Sequence, residues 1–337
     1  KVMLATLVEL SAAAAATGVM GKCRSTNVTD LPPAPALPAG ALSGMHEEVQ
    51  SLRRHSDTVV WTHCGGNYTI CLSTVPRWHQ YTRAFNYDML VIRKRSAAIT
   101  GIATHAWDRI FVAWQLMRLG YEWALHVDGD TGVLDWKQSI HDFVRSARRA
   151  DSPFLYLSQD VGKHGFLPAP CGPNNFGIFL IRNSDGARAM LRHVLAQSQR
   201  PGKFWQAWPA EQGVVNMWLS SQAAADFHQA PYGRMQRHLS KYDHPIHLRA
   251  PSKSVGGKSA GGKLAGSGSR SAGKSAGANA LIEETLTTYQ KAGVWILHTP
   301  AMQPHKEFVR QVYEAVERLW PIDNHAIHPY SRRTPIV

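Results

Sequence analysis

The chain has 337 residues, is 44% hydrophobic, and carries 37 Lys and Arg against 24 Asp and Glu, a formal charge of +13. That length and apolar content support a real core and exclude fibrous or wholly unfolded classes. The basic balance suits a nucleic acid or an anionic surface, but the cations are scattered outside one low-complexity tract, and no aromatic stacking motif accompanies them. Nucleic acid is therefore not an expected partner, whereas handling of nucleotide diphosphates fits the charge equally well.

The first residue is Lys1 rather than Met, and an earlier start is expected. Val2 to Met20 is rich in Ala, Leu, Val and Met but is interrupted by Glu9, a charge that costs roughly 2.5–3.5 kcal/mol inside a membrane-spanning helix. A Pro-rich stretch, Leu31 to Pro38, follows. The segment reads either as a degraded signal-anchor with a stem or as an ordinary Ala-rich helix. The four cysteines, Cys23, Cys64, Cys71 and Cys171, are too few and too dispersed for a zinc knuckle. Cys64 and Cys71 bracket a Gly-Gly-Asn turn; they close a small disulfide of the kind made in a secretory lumen, or they stay separate buried thiols. Asn27-Val-Thr29 and Asn67-Tyr-Thr69 are glycosylation sequons, a frequent chance match.

From Asp57 the folded part is expected to begin. Thr58 to Thr62 has the β-branched and aromatic content of a strand, and Met89 to Ile92 is a second, with a helix over Arg77 to Arg83 between them. Trp107, Ile110, Phe111, Trp114 and Met117 fall at helical spacing, so His105 to Leu119 is a helix stopped by Gly120. A buried strand, Trp123 to Val127, then ends abruptly in two carboxylates, Asp128 and Asp130. Ser139 to Ala150 is amphipathic and helical, and Pro153 to Leu157 is a strand. Phe176 to Ile181 is another, opened by Asn174 and Asn175, and Ser184 caps a helix with an apolar stripe through Ala187, Met190, Leu191, Val194 and Leu195. Glu211-Gln212-Gly213 starts a helix through Leu219. Ser252 to Ala278 is almost wholly Gly, Ser, Ala and Lys and cannot bury enough apolar surface to fold, so it reads as a flexible insertion. Gly293 to His298 is a strand ending in His, and a last helix carries Phe308, Val312, Val316 and Leu319 before Pro321 stops it. The strand-helix-strand alternation predicts a largely parallel sheet.

Carboxylates at alternate positions at a strand end, with Gly129 between them, can both turn toward one hard divalent cation, and such a cation can bridge the phosphates of a nucleotide. Four separated features fit one site: Asp128 with Asp130, Asn174-Asn175, Glu211-Gln212, and His298 at another strand end. Their order resembles the family of plant xyloglucan xylosyltransferases, galactomannan galactosyltransferases and fungal Golgi mannosyltransferases. The matching pieces are Gly120-Tyr-Glu-Trp123 leading to Asp128-Gly-Asp130 and Asp135, then Asn175 through Ser184, Trp208-Pro-Ala-Glu-Gln-Gly213, and Trp295-Ile-Leu-His298. They span about Val59 to Trp320, excluding the insertion.

The resemblance implies a single α/β domain of the GT-A, Rossmann-like type, with a mostly parallel central sheet flanked by helices. It implies a glycosyltransferase that moves a hexosyl or pentosyl group from a nucleotide-diphosphate sugar to a glycan acceptor, with Mn²⁺ (or Mg²⁺) as cofactor and retained anomeric configuration. Asp128, Asp130 and His298 would hold the metal, a set that Mn²⁺ accepts. Arg109 and Asp128 would bind the donor's diphosphate, Arg109 standing near a family Lys. Gln212 would lie near the anomeric carbon, with Asn175 and Glu211 on sugar hydroxyls. A Golgi-lumen, type II membrane placement anchored through the N-terminus goes with it. Residues 1–56 then form an anchor remnant and stem, 57–251 and 280–322 the two parts of the catalytic domain, 252–279 the insertion, and 323–337 a tail. The chain departs from the family at Leu125-His126, where an aromatic pair is usual, and at Ala301, where the family has Gly.

Two rivals stand beside this reading. A haloacid dehalogenase-like phosphatase also places Asp-x-Asp after a buried strand, but needs Thr where Gly132 stands. A carbohydrate- or nucleic-acid-binding relative with a decayed site would not need the acidic pair and His298 intact.

Overall fold

The computed structural model describes residues 35–36, 47–65, 69–94, 106–146, 153–159, 161–162, 165–166, 174–200, 210–220, 227–230, 236–238, 270–291, 294–298 and 306–321. A short helix, α1 (Glu47–Gln50), precedes β1 (Thr58–His63), α2 (Cys71–Phe85), β2 (Asp88–Ile92), α3 (Ala106–Arg118) and β3 (Trp123–Val127). Next come β4 (Thr131–Val133), α4 (Ile140–Ser146), β5 (Leu155–Gln159), the two-residue β6 (Val161–Gly162) and β7 (Gly165–Phe166), and β8 (Asn174–Arg182). They are followed by α5 (Asp185–Gln197), α6 (Ala210–Ser220), β9 (Phe227–Ala230), β10 (Gln236–His238), α7 (Arg270–Lys291), β11 (Ile296–His298) and α8 (Lys306–Leu319).

Six strands form the central sheet in the order β2-β1-β3-β8-β5-β9. The pairs β2 with β1, β1 with β3 and β5 with β9 are parallel, while β8 runs against both β3 and β5. Five strands therefore point one way, and the expected mostly parallel sheet is present with one reversed member. The central strands β1, β3 and β8 are buried on both faces over nearly their whole length. Val59, Trp61, Leu155, Leu157 and Ile181 face α3, α5 and α6. Val60, Leu125, Val127, Tyr156, Ile178 and Leu180 face the other way, onto Trp78 and Tyr81 of α2 and Phe143 of α4. Burying one such aliphatic or aromatic side chain contributes about 1.5–3 kcal/mol, which explains why continuous apolar runs and not alternating ones mark these strands.

The helix predicted over Arg77 to Arg83 extends over Cys71–Phe85 and ends where Asn86 takes a left-handed conformation, φ 56°. Ser184 caps α5 by accepting from the Ala187 backbone N–H, as expected. Cys64 and Cys71 are joined as a disulfide, which resolves the two readings left open and ties the end of β1 to the first turn of α2.

Two expectations are corrected. Residues 270–278, assigned to the flexible insertion, are helical backbone at the start of α7. The physical reason lies downstream: Ile282, Leu286 and Tyr289 dock against Val312, Ala315 and Val316 of α8, and a docked helix propagates backward through Ala- and Ser-containing sequence once nucleated. The rest of that insertion, 252–269, lies outside the described residues, as do Asn27, Asn67, Cys23, Cys171 and the whole N-terminal segment to residue 34. The second correction concerns β11, which would set His298 beside Asp128 at one sheet edge only if it shared a parallel sheet with β3. It belongs to a separate sheet of order β10-β11-β4, parallel to β10 and antiparallel to β4. Among the described residues no helix is long and apolar enough to cross a membrane.

Candidate active site

The site is built around the turn from β3 into β4, residues Asp128 to Thr131. Each backbone carbonyl of this turn is held by a side chain. Thr131 Oγ1 donates to Asp128 O at 2.6 Å, Thr74 Oγ1 to Gly129 O at 2.6 Å, Tyr313 Oη to Asp130 O at 2.9 Å, and Trp78 Nε1 to Thr131 O at 3.0 Å. Thr74 and Trp78 stand one turn apart on α2, so one helix face grips two of the four carbonyls. Tyr313 comes from α8, and its ring lies so close to Gly132 that a Cβ there would meet it at 2.6 Å. With the carbonyls engaged, what the turn offers a cation is carboxylate.

Asp128 and Asp130 differ in setting. Asp130 is buried, while the Asp128 side chain keeps 28% of its surface. Arg109, from α3, reaches three elements at once. Its Nη2 lies 3.3 Å from Asp128 Oδ1, its Nε 3.5 Å from Glu211 Oε1 on α6, and its Nη1 donates to Phe176 O of β8 at 2.9 Å. The rigid guanidinium plane makes this possible, since its donors diverge at fixed angles. Burial pushes the Glu211 carboxyl above its ordinary value, and the Arg109 charge opposes that push.

The start of β8 is held by α6 as well. Gln212 Oε1 accepts from Phe176 N at 3.1 Å, and Asn216 exchanges hydrogen bonds with both the backbone and the side chain of Asn174. Here the β5–β8 register slips, with Leu157 opposite Phe179 but Ser158 opposite Asn175. The extra residues re-aim the chain, as bulges beside functional sites do. Asn175 Oδ1 turns to accept from Gly177 N at 2.9 Å. Gly177 leaves no space for a side chain: a Cβ would overlap the Asp128 carboxylate and lie 3.0 Å from Asn175 Oδ1.

His126 completes this side of the site. It is fully buried between Trp61 and Phe179, with ring centroids 5.1 Å away on each side, and its Nε2 lies 3.2 Å from Asp128 Oδ1. Burial lowers its pKa to about 4, with the Asp128 hydrogen bond opposing and Arg109 adding to the shift, so at neutral pH the contact is a neutral hydrogen bond and not an ion pair.

The residues singled out from sequence are thus largely brought together: Asp128, Asp130, Arg109, Glu211, Gln212 and Asn175 surround one strand end. His298 reaches the neighbourhood by another route than expected. In the second sheet its backbone pairs with Thr131, the residue after Asp130, and on its other side with His238. The side chain of His298 lies outside what is described. Among the described residues no three His, Cys, Asp or Glu side chains cluster as a complete metal cage. The two carboxylates nonetheless fit a hard divalent cation in donor type. Sequence reasoning missed Thr74, Trp78, Tyr313, Gly177 and the role of His126. Only the last left a signal, since His126 stands two residues before Asp128, and alternate positions of an extended chain point the same way.

No protein-family model matches the chain, and no curated protein matches it. Among solved structures it is similar to a glycosyltransferase involved in the glycosylation of the major capsid of PBCV-1, at 12% identity and a TM-score of 0.47, covering 77% of this chain and 98% of that one. At that identity and score the likeness carries no functional weight, and the chemistry has to come from the residues.

Proposed function

We propose that the chain is a metal-dependent glycosyltransferase that moves a hexosyl or pentosyl group from a nucleotide-diphosphate sugar to a glycan acceptor, with retention of configuration. The observation that carries this reading is the turn Asp128 to Thr131, whose four carbonyls are each bound by a side chain, so that two carboxylates are presented from a rigid backbone at the end of a sheet strand. Strand ends of this kind are where open α/β sheets bind ligands.

In this reading Asp128 and Asp130 hold Mn²⁺ or Mg²⁺, with His298 as the third protein ligand. The bound ion supplies charge neutralisation for the departing nucleoside diphosphate, an interaction strongest in the transition state. Arg109 fixes Asp128 and places a positive charge beside it. Gln212 and Asn175 hold the bulged start of β8 through their amide oxygens and so shape the wall beside Asp128, where the donor sugar is to lie. Glu211, whose carboxyl is pushed above its ordinary value by burial against the opposing Arg109 charge, is suited to hydrogen-bond a sugar hydroxyl. The Cys64–Cys71 disulfide supports folding in an oxidising lumen such as the Golgi. The phosphatase alternative is weakened at Gly132, where the Tyr313 ring fills the space a Thr side chain needs.

The test is release of nucleoside diphosphate from a panel of nucleotide sugars by the purified chain with Mn²⁺. Chelation should abolish release and added Mn²⁺ restore it. Asp128→Asn and Asp130→Asn should each lower the rate by about a hundredfold or more, equivalent to about 3 kcal/mol at the transition state, in proteins that remain folded. Near-normal rates in either variant, or release of phosphate alone from simple phosphomonoesters, would defeat the assignment.

A further inference from the structure

We propose that His126 is a positioning residue for the acidic pair: its Nε2–H holds Asp128 Oδ1 and, together with Arg109, sets the plane of that carboxylate before a divalent cation arrives. The proposal rests on the metal-binding reading of Asp128 and goes beyond it to a residue that the resemblance does not assign. At this place the resembling family carries an aromatic residue, so the histidine and its contact belong to this chain.

The geometry carries the inference. His126 lies two residues before Asp128, which directly follows β3, and has Trp61 and Phe179 as its register partners on the neighbouring strands. Those rings flank the imidazole at 5.1 Å on both sides, so it cannot swing away. A phenyl ring would suit such an aromatic layer at least as well, since it has no polar atoms to bury. What the imidazole adds is a donor aimed at Asp128. Oδ1 is then gripped from two elements, by His126 Nε2 at 3.2 Å and Arg109 Nη2 at 3.3 Å. The other oxygen is set over Gly177, where no side chain fits. A carboxylate held at Oδ1 from two elements gives up little freedom on meeting a metal, which is how outer-shell partners raise affinity.

The contact also fixes a tautomer. An ionised carboxylate only accepts, so Nε2 must carry the proton of the neutral ring, and Nδ1 must not.

Two measurements test the proposal. Long-range ¹⁵N–¹H correlation spectra of the intact metal-free protein, with the His126 signals identified by their loss in His126→Gln, should show the Nε2–H tautomer. A Nδ1–H tautomer overturns the proposal whatever the protein catalyses. Second, Mn²⁺ affinity is read from the electron spin resonance of free Mn²⁺ in wild type, His126→Phe and His126→Gln. The expectation is a Kd raised about ten- to a hundredfold in His126→Phe, with most of it recovered in His126→Gln, whose amide nitrogen reaches the place of Nε2. Wild-type affinity in His126→Phe, or equal loss in both variants, overturns it. If His126→Phe does not fold, the tautomer and the His126→Gln affinity, expected within a few-fold of wild type, still decide. A wild-type protein that binds no Mn²⁺ overturns the metal reading and this proposal together, whereas normal binding with an indifferent His126→Phe overturns this proposal alone.

Discussion

A single methyl group is the smallest change that tests how tightly the acidic turn is enclosed, and Gly177 is the place to add it. In Gly177→Ala the new Cβ must displace the Asp128 carboxylate or the Asn175 amide. Overpacking of this kind costs about 1–3 kcal/mol, and the displaced group is one the proposed metal needs. The variant should therefore require more Mn²⁺ for activity while melting only a few degrees lower; an unchanged Mn²⁺ requirement would show that Asp128 has room to move. Glu211 tests electrostatics at the same scale. Its pKa in the folded protein is raised above the ordinary 4.5, so the unfolded chain releases this proton first. The associated stability is present below pH 4.5 and is lost as pH rises through the raised value. Glu211→Gln removes the titration, so its melting temperature relative to wild type should climb between pH 4 and pH 7. A difference that shrinks over that range would mean that Arg109 outweighs burial. The same variant should be less active, a cost typical of polar groups held in functional sites.

At the scale of elements, α8 matters to the site although it lies far away in sequence. Tyr313→Phe keeps the ring over Gly132 but leaves Asp130 O without its donor, a loss of about 1–3 kcal/mol for a buried carbonyl. The expected result is a lower melting temperature together with a higher Mn²⁺ requirement for activity; a drop in stability alone would make the contact purely architectural. Most elements were legible beforehand because apolar runs and helical stripes record burial directly, as in β3, α3 and α5. Strand direction was not, because a buried run reads the same in either sense, and so the reversal of β8 left no trace in its residues. The same blindness left open whether His298 and Asp128 share one sheet. They approach each other, but through β4, three residues whose pairing with β11 depends on a chain reversal after the acidic turn. The start of α7 was hidden because its composition is that of a linker, and its helix follows from docking residues further on.

For the molecule as a whole, composition makes residues 252–269 replaceable. A short Gly-Ser linker in their place should leave the melting temperature nearly unchanged, since each halving of a flexible loop alters closure by only about 0.6 kcal/mol. Extending the replacement to remove Ile282, Leu286 and Tyr289 should instead destabilise the protein strongly, because these residues form a core with α8. Equal effects of the two replacements would show that 252–269 packs against the folded part.

The four clamps on the acidic turn also order events in time. Two come from α2 and one from Thr131 itself, but the last is Tyr313, whose partner Asp130 lies 183 residues earlier. A contact that spans so much chain cannot form until the C-terminal helix has left the ribosome, and long loops close late even then. The turn therefore keeps three of its clamps within its own neighbourhood and gains the fourth only when α8 docks.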